Sequence, residues 1–230
     1  MAELCRKNAR PSVGCVIMAS GLARRFGSNK LLADFGGRPL LCRALEVTAT
    51  PALAARVVVT RSAEVKALCD AQAVSCLLHS LPGRNDTVRL GLEALLEQCP
   101  NLAGCIFLPG DQPLLQRETL EALITAFALT QKETERAIFR LGARAAHGPD
   151  TVVGSPVLFG SSFFSELLTL PENKGGNVLL KKYPAQVRTV CIAAPMELLD
   201  ADTPADYHEL LERHNTVHWH WKQDPDTARR

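Results

Sequence analysis

Several things are scarce in this sequence, and each shortage removes a class of protein. No stretch approaches the roughly 18–20 apolar residues of a membrane-spanning helix; the longest uncharged run of interest, Pro11 to Ala23, is far shorter. The opening residues, Met1-Ala2-Glu3-Leu4-Cys5-Arg6-Lys7, have no apolar segment behind their charges, so a secretory leader is not expected and a cytoplasmic location is. Charge of one sign is also lacking: 26 Lys+Arg stand against 24 Asp+Glu, a net charge of +2. That balance predicts neither nucleic acid nor membrane as a partner, and any anion site must be local. Of the eight cysteines, no two are spaced Cys-x-x-Cys, which excludes a zinc knuckle and a thioredoxin-type pair. Cys15, Cys105 and Cys191 sit inside apolar runs and read as buried, reduced thiols.

What remains is an ordinary globular composition, 47% apolar and 22% charged over 230 residues, enough to bury one large core. Short β-branched runs at 13–19, 56–60, 74–79, 103–108, 136–139 and 187–192 read as strands. Between them, 39–47, 63–72, 86–98, 117–128, 162–168, 176–182 and 204–214 read as amphipathic helices. Strands that are apolar throughout are buried on both faces, so the pattern predicts an α/β fold: a single doubly wound, mainly parallel sheet with helices on both faces. Residues 13–213 form the expected domain, with a flexible 1–12 before it and a polar, irregular 214–230 tail carrying His214, His218, His220, Trp219 and Trp221. In such folds ligands bind beyond the C-terminal strand ends.

The first of those ends runs Ala19-Ser20-Gly21-Leu22-Ala23-Arg24-Arg25-Phe26-Gly27-Ser28-Asn29-Lys30. Small residues admit a ligand close to the backbone, glycines let N–H groups turn to an anion, and three cations fall within seven residues. This is a plausible phosphate cradle, or simply a solvated basic turn. It fits neither the Walker pattern nor the dinucleotide glycine pattern. The fourth strand delivers Asp111 in Gly110-Asp111-Gln112-Pro113, where a carboxylate beside a phosphate cradle suits Mg²⁺ or caps a turn. Asp200 and Asp202 precede the last helix, which Asp202 or Thr203 could merely cap. The polar loop Ser80–Arg89 offers groups for a base or ribose, or else Asp86 or Thr87 only caps the helix that it opens. No nucleophile–base constellation stands out.

Together these segments resemble the molybdenum cofactor cytidylyltransferases, within the wider molybdopterin-type nucleotidyltransferases. The resemblance rests on the loop from Met18 to Gly27 with Lys30-Leu31-Leu32, on Gly36-Gly37-Arg38-Pro39, on Gly110-Asp111-Gln112-Pro113, on Gly154-Ser155-Pro156-Val157-Leu158-Phe159, and on Asp200-Ala201-Asp202-Thr203-Pro204. It spans about Val13 to Leu211. It implies a Rossmann-like nucleotidyltransferase fold and transfer of CMP from CTP to the terminal phosphate of molybdopterin, with release of pyrophosphate. Arg25, Lys30 and Asp111 are the implied catalytic residues. Ala19, Ser20, Gly21, Arg25, Lys30, Pro82, Gly83, Arg84 and Thr87 would bind the nucleotide. Asp111, Asp200 and Asp202 would hold Mg²⁺, and Ser155, Pro156 and Asn177 would face the acceptor. A molybdenum hydroxylase apoenzyme is the implied protein partner. A sugar or isoprenoid phosphate acceptor, the use of GTP, or a non-catalytic cofactor carrier are the alternative readings.

Overall fold

The computed structural model describes residues 11–21, 26, 29–130, 136–144 and 151–223, with residues 217–223 described in backbone only. Seven strands form one sheet: β1 Val13–Ala19, β2 Ala55–Thr60, β3 Cys76–Leu78, β4 Gly104–Pro109, β5 Ile138–Arg144, β6 Thr151–Gly160 and β7 Val187–Ile192. Their order is β3-β2-β1-β4-β6-β5-β7. The β3-β2-β1-β4 half is parallel throughout, while β6 runs antiparallel to both neighbours and β7 returns parallel to β5. The sheet is therefore mixed, and the strand that makes it so, β6, is one the sequence does not announce.

Helices α1 Leu41–Val47, α2 Ala63–Ala71, α3 Arg84–Gln98, α4 Arg117–Thr130, α5 Phe164–Leu168, α6 Asn177–Lys182 and α7 Pro204–Gln223 cover the two faces. Alternation along β1 explains why. Cys15 and Ile17 point into a core closed by α1, α2, α4 and α7, through Leu41, Cys69, Phe127 and Tyr207. Val16, one residue along, points into the opposite core, closed by Val88 and Leu92 of α3, Leu167 of α5 and Leu179 of α6. Each face is a continuous apolar layer, as the period-2 side-chain geometry of a doubly covered strand requires. Burial pushes the Cys15 thiol up to about 12 and that of Cys105 well above its ordinary value, so both behave as small hydrophobes.

Two expectations need correction. Cys191 is exposed, because β7 is an edge strand with only one partner. Residues 214–223 are not an irregular tail: α7 continues through Gln223, and His214 is buried against the Phe35 ring, centroid to centroid 5.0 Å. Tyr207 on the same helix stacks edge-on against Phe26 and Phe35, and its hydroxyl donates to the Asp34 carbonyl. No helix among the described residues is long and apolar enough to cross a membrane.

Candidate active site

Strand order reverses direction at β1, whose neighbours are β2 on one side and β4 on the other. The chain after β1 and the chain after β4 therefore leave the sheet in different directions and open a crevice between them. A cleft of about 780 Å³ lies there, within the range of small-molecule sites. Ser20, Gly21, Pro82, Gly83, Arg84, Thr87, Asp111, Ser155, Asn177, Asp200 and Asp202 all line it. Residues from six separate segments converge as the sequence motifs imply.

The charged end is built around Lys30, on a single 3₁₀ turn at Lys30–Leu32 whose first N–H groups are capped by Asn29. Only 9% exposed, the Lys30 ammonium donates to the Asp111 carboxylate at 2.5 Å and to the Ala201 carbonyl at 2.9 Å, with Asp202 at 3.5 Å. Asp111 is itself anchored, since its carbonyl accepts from the Ala201 N–H. Asp200 is the third carboxylate. Burial, followed by the charges of Asp111 and Asp202, pushes its pKa up to about 7, against the opposing pull of Lys30. Its Oδ1 is buried with no hydrogen-bond partner, as is Oε1 of the neighbouring Gln112.

Two orphaned acceptor oxygens beside two further carboxylates suit a hard cation. No ready-made cluster of three or more ligating His, Cys, Asp or Glu side chains exists among the described residues. Mg²⁺-like ions need only one or two protein carboxylates when water and phosphate complete the shell, so the donor set fits. Asp202 is not the helix cap. Thr203 caps α7, its hydroxyl accepting from the Asp206 N–H at 3.2 Å while Asp206 accepts from the Thr203 N–H at 2.8 Å. That leaves the Asp202 carboxylate free for the site.

At the other end, Gly83 caps α3, and Asp86 accepts from the Gly83 N–H at 3.0 Å. The helix therefore begins at Arg84, two residues before the expected start, and brings Arg84 and Thr87 to the cleft on its first turn. The Ser20 hydroxyl donates to the Val59 carbonyl at 3.1 Å and lies 2.9 Å from His79 Nε2. With its proton committed to Val59, the hydroxyl must accept from His79, which assigns that proton to Nε2 and leaves Nδ1 a buried, unpartnered acceptor. Burial and the nearby Arg61 charge hold His79 below the usual histidine range, consistent with a neutral ring.

Three expected site residues sit elsewhere. Ala19 is buried, and its carbonyl is taken by the Thr60 hydroxyl at 3.1 Å. Pro156 is buried behind Ser155 and does not reach the cleft. Lys30 lies behind the aspartates rather than on the cleft wall. Arg25 falls outside the described residues, as does Arg24. Conversely, Arg61, Phe107, Val157 and Phe159 line the cleft without being read as site residues in the sequence, whereas Asn173 lines it at the start of the Asn173–Asn177 loop expected on the acceptor side. An apolar residue near a strand end reads as core, and a lone arginine after a strand carries no motif.

A seven-stranded mixed sheet with helices on both faces and this cleft at its switch point is the Rossmann-like nucleotidyltransferase fold. Residues 15–187 match the MobA-like NTP transferase domain, and the chain belongs to that family. A curated relative, 3-deoxy-manno-octulosonate cytidylyltransferase of Polynucleobacter necessarius, is 34% identical over 118 residues, 50% of this chain and 45% of that protein. The chain thus matches less than half the length of that relative. Among solved structures, Rv0371c from Mycobacterium tuberculosis superposes with TM-score 0.71 at 25% identity, covering 87% of this chain and 98% of that one. Its manganese complex gives TM-score 0.65 at 24% identity with the same coverage. CMP:2-keto-3-deoxy-manno-octonic acid synthetase complexed with CTP shares the fold at 13% identity, with TM-score 0.70 over 91% of this chain and 100% of that one.

Proposed function

We propose that this protein transfers CMP from CTP to the terminal phosphate of a molybdopterin-type acceptor and releases pyrophosphate. The observation that carries the reading is the meeting of Lys30, Asp111, Asp200 and Asp202 at one end of a cleft whose other end offers backbone and hydroxyl groups and, among the described residues, no activated nucleophile, the Ser20 proton being given to the Val59 carbonyl. Nucleotidyl transfer asks for that arrangement. An acceptor phosphate oxygen attacks the α-phosphorus in line, the bond to the β-phosphate breaks, and the protein supplies position and charge. Asp111 and Asp200, with Asp202 beside them, would hold the divalent cation, which when bound neutralises charge on the triphosphate. Lys30 fixes Asp111 and the Ala201 carbonyl, so it holds the two acidic segments in register. Arg25, the basic position of the loop after β1, is assigned to the triphosphate. Ser20, Gly21 and the Pro82–Thr87 stretch embrace the nucleoside.

The acceptor side supports a ring-shaped, uncharged body. Phe107 and Phe159 meet edge-to-face with centroids 5.9 Å apart, Val157 adjoins them, and Ser155, Asn173 and Asn177 form a neutral polar rim. A sugar-acid acceptor is the second reading, favoured by the cytidylyltransferase relative. The acceptor-side lining residues described include no basic group to meet a carboxylate.

The experiment is pyrophosphate release with CTP, Mg²⁺ and either molybdopterin or 3-deoxy-manno-octulosonate. Turnover with molybdopterin alone is expected. Turnover only with the sugar acid moves the acceptor, and nucleotide binding without pyrophosphate release would make the protein a carrier. Equal CTP and GTP in competition should give at least about tenfold more CMP product, roughly 1.4 kcal/mol in transition-state binding.

A further inference from the structure

Arg61 follows β2 directly and makes an arrangement unlike that of any other cleft residue. Its Nε donates to the Ser20 carbonyl at 2.8 Å, its Nη2 donates to the same oxygen, and its Nη1 donates to the Pro82 carbonyl at 3.2 Å. Ser20 stands on the loop after β1 and Pro82 on the loop that opens α3, two walls of the cleft. One planar guanidinium therefore straps the walls together. No acidic side chain pairs with it among the described residues, so its donors are spent on backbone and not on charge neutralisation.

The two anchors differ in freedom. Ser20 is held from behind as well, by its hydroxyl bond to Val59 and by His79. Residues 80–82 are exposed and in irregular backbone, and the Arg61 bond is what ties this stretch to the far wall among the described residues. His79 fixes the start of this stretch against Ser20, and Arg61 alone among the side chains described reaches its far end at Pro82.

We infer that Arg61 is a specificity-determining residue that limits the base pocket to a pyrimidine by holding Pro82 at a fixed distance from Ser20. The inference rests on the reading that this cleft takes a nucleoside triphosphate. A purine carries a second fused ring, and admitting it requires the 80–82 wall to swing out. That movement exchanges the Nη1 bond, which lies at the exposed rim, for one to water, a modest cost that a pyrimidine never meets. Steric exclusion here is backed by a bond that must be broken, which a soft loop alone cannot provide. Lysine is no substitute, since a point charge on a flexible stem lacks the planar fork that reaches both carbonyls.

The test is equilibrium binding of non-hydrolysable CTP and GTP analogues with Mg²⁺ to the full chain and to its Arg61→Ala and Arg61→Lys variants, with no acceptor present. The wild type is expected to prefer CTP. Arg61→Ala should shrink that preference about tenfold, chiefly by improving GTP binding, with Arg61→Lys in between and thermal midpoints little changed. An equal loss of affinity for both nucleotides would make Arg61 a phosphate contact and overturn the inference, and the loss would then fade at high salt. An unchanged preference in Arg61→Ala overturns it too. A wild type that binds neither nucleotide ends the nucleotide reading itself, before any variant is compared.

Discussion

A carboxylic acid shut away from water beside two other carboxylates holds its proton to higher pH than an exposed one, and Asp200 is in that position. Its raised value fixes the sign of two effects. Below about 3.8 the folded and unfolded chains are both protonated there, and the protonated form's contribution is fully present. Stability is lost as pH rises through about 7, because the unfolded chain releases the proton first. Asp200→Asn should therefore stabilise the metal-free protein at pH 8 by about 1–3 kcal/mol in urea unfolding, and leave it unchanged near pH 3. The same variant should bind Mn²⁺ or Mg²⁺ more weakly. In the wild type, metal binding at pH 6 should release a proton, read by titration calorimetry in buffers of different ionisation enthalpy. Binding without proton release would place the cation away from Asp200. Asp111→Asn should leave less than about a tenth of the wild-type rate at saturating Mg²⁺, a loss above roughly 1.4 kcal/mol, with the fold intact. Retention of more than that makes Asp111 a tether for Lys30 and nothing further. At this scale the site was well marked in the sequence wherever a charged residue ended a strand or stood in a motif, as Asp111, Asp200 and Lys30 do. Arg61 escaped notice because its partners are carbonyls of Ser20 and Pro82, and no side-chain pattern reports where a backbone oxygen points.

Among the elements, β6 is the instructive omission. Gly154 and Pro156 interrupt its run, and a proline argues against a central strand because it cannot donate to a ladder. The register resolves the conflict. β6 pairs with β4 only from Val157 onward, and between Arg140 and Leu141 the pairing with β5 skips from Val157 to Gly154. Ser155 and Pro156 are the residues left over, a bulge in which proline forfeits nothing and Ser155 is turned to the cleft. Helix α7 was underread for the opposite reason, since its residues beyond Arg213 show no apolar stripe. Helix α3 yields a prediction. A Cβ at Gly91 would stand 2.5 Å from Val16 Cγ1 and 3.0 Å from Val59 Cγ2, so the helix rides directly on β1 and β2. Gly91→Ala should destabilise the fold by about 1–3 kcal/mol, despite alanine's better helix propensity, because two β-branched residues on the sheet cannot swing away. A neutral or stabilising result in thermal unfolding would mean that α3 can lift from the sheet.

Over the whole molecule, the site is distributed between elements far apart in sequence, and α7 closes the circuit. The helix follows Asp200 and Asp202 immediately, and three residues into it Tyr207 grips Phe26 and Phe35 on the segments flanking Lys30. Tyr207→Phe keeps both ring contacts and loses the bond to the Asp34 carbonyl, which should cost about 1 kcal/mol in unfolding and little activity. Tyr207→Ala removes the rings as well, and should cost about 3–5 kcal/mol and lower kcat at temperatures where the protein remains folded. Equal activity in the two variants would show that the signature segment holds its shape without α7.

The change from parallel to antiparallel pairing at β4 and β6 has a consequence for how such a protein diversifies. Everything proposed to handle the nucleoside, from Ser20 to Thr87, belongs to the parallel half, and the residues proposed to meet the acceptor, from Ser155 to Asn177, lie beyond that seam, with Phe107 reaching them from β4 on the near side. The seam itself is narrow, pairing Gly104–Phe107 with Val157–Gly160. A graft that preserves those eight backbone positions, together with Asp200, Asp202 and the helix that follows them, could exchange one acceptor for another while inheriting the same nucleotide chemistry. The molecule is in this sense a fixed engine with a replaceable front end, joined along a single hydrogen-bonded hem.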